Sequence, residues 1–291
     1  MVVFAGQGDA RRSMGLLWRA TVPEGPRTGP GPKPGLSVDM IVAAAIAVAD
    51  EQGMAALSMR AVGERLGRTA MALYTYVPSK SELIDLMYDQ ALAELPTGYD
   101  LKGGWRAAVT SWAGDVWAFY VRHPWVLQVS QARPVLGPNE FVMLETLVGL
   151  LRATGLRGGR LRGIVSLLTD FIRGAARTVA ESRQAPAVTG VSDEEWWHAR
   201  SALLEEVAPG FAERFPMVVW IETDDPPPPS HSSEAPQSGQ ATTQSGQATT
   251  QSGQATTYLE DKARPAFAAG LTVVLDGIET AIDRAGISPA G

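Results

Sequence analysis

Four consecutive stretches between residues 37 and 95 each begin at a residue that caps a helix and end at one that stops it. Ser37 precedes Ile41, Val42, Ala45, Ile46 and Val48, and Gly53 closes that run near Gln52. Ser58 precedes Met59–Leu66, which Gly67 closes, and Thr69 opens a third stretch through Leu73 to about Tyr76, halted by Pro78. Ser79-Lys80-Ser81-Glu82 has the form of a capping box and predicts a fourth helix to about Leu95, with Leu83, Leu86, Met87 and Leu92 at helical spacing. Apolar residues three and four apart continue through 104–122, 124–131, 138–154, 160–183, 192–206 and 258–285. Val218-Val219-Trp220-Ile221 is the one strand candidate, and it is short. The pattern predicts an all-α chain: a small N-terminal three-helix unit, then a larger helical body.

Two segments lack the means to build a core. Residues 1–36 contain Gly25-Pro26, Gly29-Pro30-Gly31-Pro32 and Lys33-Pro34-Gly35. Alternating Gly and Pro propagates neither a helix nor a ladder, so 1–36 reads as a disordered arm, with Met14 an alternative start to Met1. Residues 222–257 pass from Pro226–Pro229 into QSGQATT three times, starting at Gln237, Gln244 and Gln251. With no core-forming residue in the repeat, 222–257 reads as a disordered loop. The three-helix unit then spans 37–82 and the helical body 83–291, interrupted by that loop.

Composition narrows the chemistry. With 0 cysteines the chain has no disulfide, zinc ribbon, iron–sulfur cluster or thiol nucleophile. Its 3 histidines, His123, His198 and His231, lie far apart and form no HExxH, so neither metal nor cofactor is expected. No GxSxG, P-loop, GxGxxG or catalytic triad is present, and Asp193-Glu194-Glu195 suits a helix start, so an enzyme is not expected. No continuous apolar run of about 18 residues occurs, and the first residues carry Asp9, Arg11, Arg12 and Arg19. A cytoplasmic protein with no membrane partner is the expectation. The net charge is -6, yet residues 58–80 hold Arg60, Arg65, Arg68 and Lys80 against Glu64 alone. Nucleic-acid binding needs such a local positive field rather than a basic chain, though a solvated helix face carries the same charges.

Short helix, glycine, short helix over 58–76 is a helix–turn–helix outline. The residues carry more. LSMRAVGERLGRTAMALYTYVPSKSELIDLM, residues 57–87, resembles the DNA-binding domain of the tetracycline-repressor (TetR) family at Leu66-Gly67, Leu73-Tyr74, Tyr76-Val77, Lys80 and Leu83. The preceding IVAAAIAVADEQG (41–53) matches in place. GLTVVLDGIETAI (270–282), Trp105, Arg133-Pro134 and Phe171 to Gly174 resemble the tetracycline-repressor C-terminal subgroup in order.

The resemblance implies that Thr69–Tyr76 enters the major groove of a double-stranded DNA operator. Arg68, Thr69, Ala70 and Met71 then stand near base edges, where Thr hydrogen-bonds and Ala or Met packs on a thymine methyl. Tyr74, Tyr76 and Lys80 reach the phosphates, Arg60 reaches a phosphate or an outer base, and the helix starts at Ser58 and Ser79 suit phosphate oxygens. Tyr74 also fits a core aromatic, and Arg65 a plain surface role. A palindromic operator requires a homodimer, implied through helices 160–183 and 258–285. The resemblance also implies a pocket for a small-molecule effector. There Trp112, Val116, Leu144, Leu147 and Phe171 form walls, and Gln128, Gln131 and Asp170 anchor polar groups. The 8 tryptophans favour an apolar aromatic ligand, although each also fits ordinary core packing. The function implied is a ligand-released repressor; a ligand-independent or activating DNA-binding regulator is the alternative.

Overall fold

The computed structural model describes residues 3–19, 35–222 and 258–286. Its α-helices are α1 (Ala10–Leu17), α2 (Val38–Gln52), α3 (Met59–Leu66), α4 (Ala70–Tyr74), α5 (Lys80–Leu92), α6 (Gly104–Arg122), α7 (Pro138–Arg152), α8 (Gly158–Thr189), α9 (Asp193–Val207), α10 (Phe211–Arg214), α11 (Pro216–Trp220) and α12 (Tyr258–Arg284). Among the described residues, β structure is confined to an isolated bridge between Val3 and Val129. The chain is all-α, as its periodicity requires.

The chain divides into two compact units, Met1–Glu181 with Lys262–Gly291, and Ser182–Asp261. In the first, α2 contributes Ile41, Val42, Ala45, Val48 and Ala49, on which Met59 and Val62 of α3, Leu73 of α4 and Val77 are buried. A second layer joins Val109, Trp112, Val116 and Phe119 of α6 to Leu147 and Leu151 of α7. Along α8, Leu161, Ile164, Leu168, Ile172, Ala176 and Val179 form one buried stripe; along α12, Phe267, Leu271, Leu275, Ile278 and Ile282 form another. Both keep the three-and-four spacing of a single helix face. Lys262–Arg284 is long and apolar enough by composition to cross a bilayer. Its stripe is buried in the protein, and its Asp276 and Glu279 pair with Arg106 of α6, as suits a core helix.

In the second unit α9 opens with a complete capping box, Ser192 with Glu195. Trp196 and Trp197 meet edge to face at 5.0 Å, and Arg200 lies over Trp196. Phe211 and Phe215 pair at a tilt of 47° from α10 onward, with ring centroids 5.0 Å apart.

Several elements differ from the sequence reading. The expected disordered arm is ordered over residues 3–19. Val3 exchanges hydrogen bonds with Gln128 and Ser130, Ala5 and Leu17 are buried, and Asp9 caps α1. The Trp18 indole donates to the Leu136 carbonyl at 3.0 Å. The prolines and the Gly-Pro alternation all lie beyond residue 22, whereas Val3, Ala5, Leu16, Leu17 and Trp18 supply the apolar side chains that dock the first part. The expected helix over 124–131 is a 3-10 turn, Pro124–Gln128. The strand candidate at 218–221 falls largely in α11, which Pro216 starts. Helix α8 continues past 183 through Pro186. The tandem repeats and the rest of 223–257 lie outside the described residues.

Candidate nucleic-acid interface and effector groove

Two glycines build the turn between α3 and α4. Gly67 caps α3 in the left-handed region at φ +63°, which a side chain disfavours. Gly63 lies against the turn itself: a Cβ there would sit 2.7 Å from the Arg68 carbonyl oxygen. The Arg68 N–H donates to the Gly63 carbonyl at 2.8 Å, sealing the approach. Ser58 accepts from the Ala61 N–H at 3.1 Å and Thr69 from the Ala72 N–H at 3.4 Å, so both helices start where their caps predict. Ser79 accepts from the N–H groups of Ser81 and Glu82, but the Glu82 carboxylate takes the Ser79 hydroxyl rather than its backbone N–H.

Burial of Val62, Leu73 and Val77, with Leu66 half-buried, decides which face turns outward. Ser58, Arg60, Arg68, Thr69, Met71, Tyr74, Tyr76 and Lys80 are exposed, and Ala70 is half-buried against the core. Met71 is 75% exposed, Tyr74 40% and Tyr76 39%, so Tyr74 is no core aromatic. Arg60 pairs with Glu64 one turn on at 2.8 Å, with both side chains largely in solvent; such a pair holds an arginine only weakly. Arg65 is different: its two terminal nitrogens each meet a Glu51 oxygen at 2.7 Å, bracing α3 on α2.

Helix α5 leads away from this head and carries three buried acids, Glu82, Asp85 and Asp89. Asp85 accepts the Gly6 N–H at 3.1 Å. Burial, offset in part by that hydrogen bond and reinforced by Glu82, pushes Asp85 up to about 6. Asp89 accepts the N–H groups of Asn139 and Glu140 at 2.9 and 3.1 Å, so it caps α7 from another helix. No motif in the sequence announced either role, because the partners lie 79 and 50 residues away.

The residues read as effector contacts do not converge on one cavity. Trp112, Val116 and Leu147 are packed in the core at 1–2% exposure. Gln128 is half-buried; Gln131 is exposed and donates to the Tyr88 hydroxyl at 3.0 Å; Leu144 and Asp170 face solvent. Phe171, half-buried, stacks on Phe267 at 5.6 Å. Between α6 and α12 lies a cavity of about 510 Å³, with Trp117 and Phe267 among its walls. Those rings stack at 5.6 Å and 23°, with the Arg264 guanidinium 5.4 Å from the Trp117 ring centre. Phe267 and Arg264 belong to the last helix, which the sequence reading took only as a dimer element.

A tight helix–turn–helix that shows aromatic, apolar and cationic side chains on one face, joined to a larger helical body, defines a helix–turn–helix DNA-binding regulator. Comparison with known proteins narrows this. Residues 41–87 match the family described as bacterial regulatory proteins, tetR family, and 97–230 match the tetracyclin repressor-like C-terminal domain. The HTH-type transcriptional repressor DrrR1 of Streptomyces coeruleorubidus is 40% identical over 221 residues, 76% of this chain and 80% of that protein. An HTH-type transcriptional regulator of Saccharopolyspora erythraea is 28% identical over 63% of this chain and 77% of its own. Among solved structures, the TetR family protein ActR of Streptomyces coelicolor in complex with actinorhodin has a TM-score of 0.62 at 22% identity. That match covers 86% of this chain and 98% of ActR, and it shows the shared fold. The chain belongs to the TetR family of transcriptional regulators.

Proposed function

We propose that this protein is a homodimeric repressor that holds a palindromic operator and releases it when a small aromatic ligand binds in the helical body. The observation that carries the DNA reading is the α4 face. Met71, Tyr74 and Tyr76 stand exposed on a five-residue helix and its end, bordered by Arg60, Arg68 and Lys80. In a major groove, Arg68, Thr69, Ala70 and Met71 meet base edges; Arg60, Tyr74, Tyr76, Lys80 and the helix starts at Ser58 and Ser79 meet phosphates. DrrR1, whose name gives it as a repressor, supports the direction of control. A cytoplasmic location follows from the target.

The dimer reading rests on the outward face of α8 and α12. Leu167 is 51% and Val273 70% exposed, and both line an apolar groove that continues over Ile164, Val274, Gly277 and Ile278. A second copy placing its own two helices there makes a four-helix bundle about a two-fold axis. For the effector we favour the cavity walled by Trp117 and Phe267, with Phe171 behind Phe267. Trp112, Val116 and Leu147 then shape the wall from within the core. ActR, of the same fold, is seen with actinorhodin, which makes that compound a reasonable first probe.

Selection from a randomised duplex pool tests the reading. Recovered sequences should share an inverted repeat with half-sites about one helical turn apart, and planar aromatic compounds including actinorhodin should quench Trp117 and release the duplex. Recovery of sequences with no two-fold element would contradict the dimeric mode. Release that persists in a Phe267→Ala variant would move the ligand elsewhere.

A further inference from the structure

His123 closes α6 and is 4% exposed, and nothing in the DNA or effector reading uses it. Its Nδ1 lies 2.8 Å from Asp50 Oδ1 in α2. Its Nε2 lies 3.2 Å from Glu94 Oε2, two residues past α5, and 3.3 Å from Arg122 Nε in α6. The Trp125 indole donates to the same Asp50 oxygen at 2.8 Å, which fixes that carboxylate. Arg122 also reaches Glu94, at 3.3 Å. The charged groups facing the ring are thus Asp50 from α2, Glu94 from the end of α5 and Arg122 from α6.

This set satisfies the ring in two different ways. A neutral imidazole has one donor and one acceptor. With its proton on Nδ1 it donates to Asp50 and accepts from Arg122 at Nε2, and Glu94 is left to Arg122 alone. An imidazolium donates from both nitrogens, so Nε2 turns to Glu94 and the Arg122 Nε must move off. Arg122 can do so, its side chain being 60% exposed. One proton therefore decides whether the ring grips Glu94.

We propose that His123 is a titratable link between the reading head and the helix that connects it to the effector body: the imidazolium ties Asp50 of α2 to Glu94 beyond α5, and the neutral ring lets Glu94 go. Helices α2 and α5 pack directly on each other along the seam it crosses, but the seam opens to the surface at the His123 end. A cleft of about 400 Å³ separates α2 from α5 there, bordered by Ala43, Ile46, Gln90 and the ionic cluster itself. At this end the cluster adds the polar ties between α2 and the segment that follows α5. The consequence for DNA rests on the repressor reading above: a dimer reads a palindrome only while its heads keep their spacing, so loosening α5 from α2 costs operator affinity. Burial opposes the charged ring, but hydrogen bonds to Asp50 and Glu94 outweigh it and raise its titration above the usual 6.5. Below that point the link is closed, and it opens as pH rises through it.

The chain has 3 histidines, so imidazole NMR resolves them, with His123→Gln identifying the signal. His123 should titrate above 6.5 in the wild type, and lower in Glu94→Gln. Affinity for a labelled duplex selected from the random pool is then measured from about pH 6 to about pH 9. Wild-type affinity should fall by about fivefold or more across the His123 midpoint, and Glu94→Gln should lose that step. A His123 midpoint at or below 6.5 would overturn the link; so would identical pH profiles in the two proteins. If no duplex is recovered at all, the repressor reading fails, while the Glu94→Gln shift of the His123 midpoint still decides whether the link exists.

Discussion

Gly63 shows how much of a reading head can hang on one hydrogen atom. A methyl group there meets the Arg68 carbonyl at 2.7 Å, and backbone cannot swing aside as a side chain can. Gly63→Ala should destabilise the fold by about 1–3 kcal/mol and weaken DNA binding beyond that loss, because α4 must shift. Urea unfolding and duplex titration of one preparation check it; unchanged values in both would refute the close approach. The caps at Ser37, Ser58, Thr69 and Ser79 were legible in the sequence because their partners lie within three residues. Gly63 was not, because a close approach leaves no local pattern. Nor was the Asp50–His123–Glu94 cluster, whose members are 73 and 29 residues apart.

Helix α5 is where the first segment of the chain earns its order. Residues 3–19 cover its acidic side, and Gly6 gives Asp85 a backbone N–H. Asp85 titrates near 6 when folded, above its ordinary 3.8. Its folded form therefore binds the proton more tightly, so the stabilisation is complete below the ordinary value and is lost as pH rises through about 6. The loss is on the order of 3 kcal/mol, and Asp89 and Glu140, also raised by burial, change stability in the same direction. Asp85→Asn keeps an acceptor for Gly6 and removes the charge. Its melting temperature should change much less between about pH 4.5 and about pH 7.5 than that of the wild type (about 1.5 pH units on either side of the midpoint); equal pH dependence would show Asp85 to be solvated. Helical periodicity predicted α2, α3 and α6 nearly to the residue, and α5 and α7 to within about three residues at their ends, since each packs one face on a core. It missed α1, which carries Gly15 and adjoins the Gly- and Pro-rich stretch with which it was read as one arm.

The assembled molecule must present two heads, and the α8–α12 face is where the second copy is expected. Leu167→Glu and Val273→Glu place charges on side chains that the single chain leaves exposed, so folding should survive while association fails. Light scattering should give a dimer for the wild type and a monomer for the double variant, with operator affinity lost alongside. A dimer that persists would place the axis elsewhere. The effector site was the least legible part. Trp112 and Trp117 lie five residues apart on one helix, yet one is sealed in the core and the other walls a cavity. Residue type alone does not separate those fates; the wall is set by Phe267 and Arg264, which arrive from the far end of the chain. The claim on which everything else depends is that the α4 face reads DNA. Fluorescence anisotropy with duplex from the protein's own upstream region, at two salt concentrations, tests it most directly. Wild type should bind saturably with a steep salt dependence, and Lys80→Ala should lower the salt slope by about 1 for each head. Tyr74→Ala with Lys80→Ala should abolish binding while leaving the melting temperature unchanged. Saturable binding that the double variant retains in full, with the same salt slope, would contradict the account.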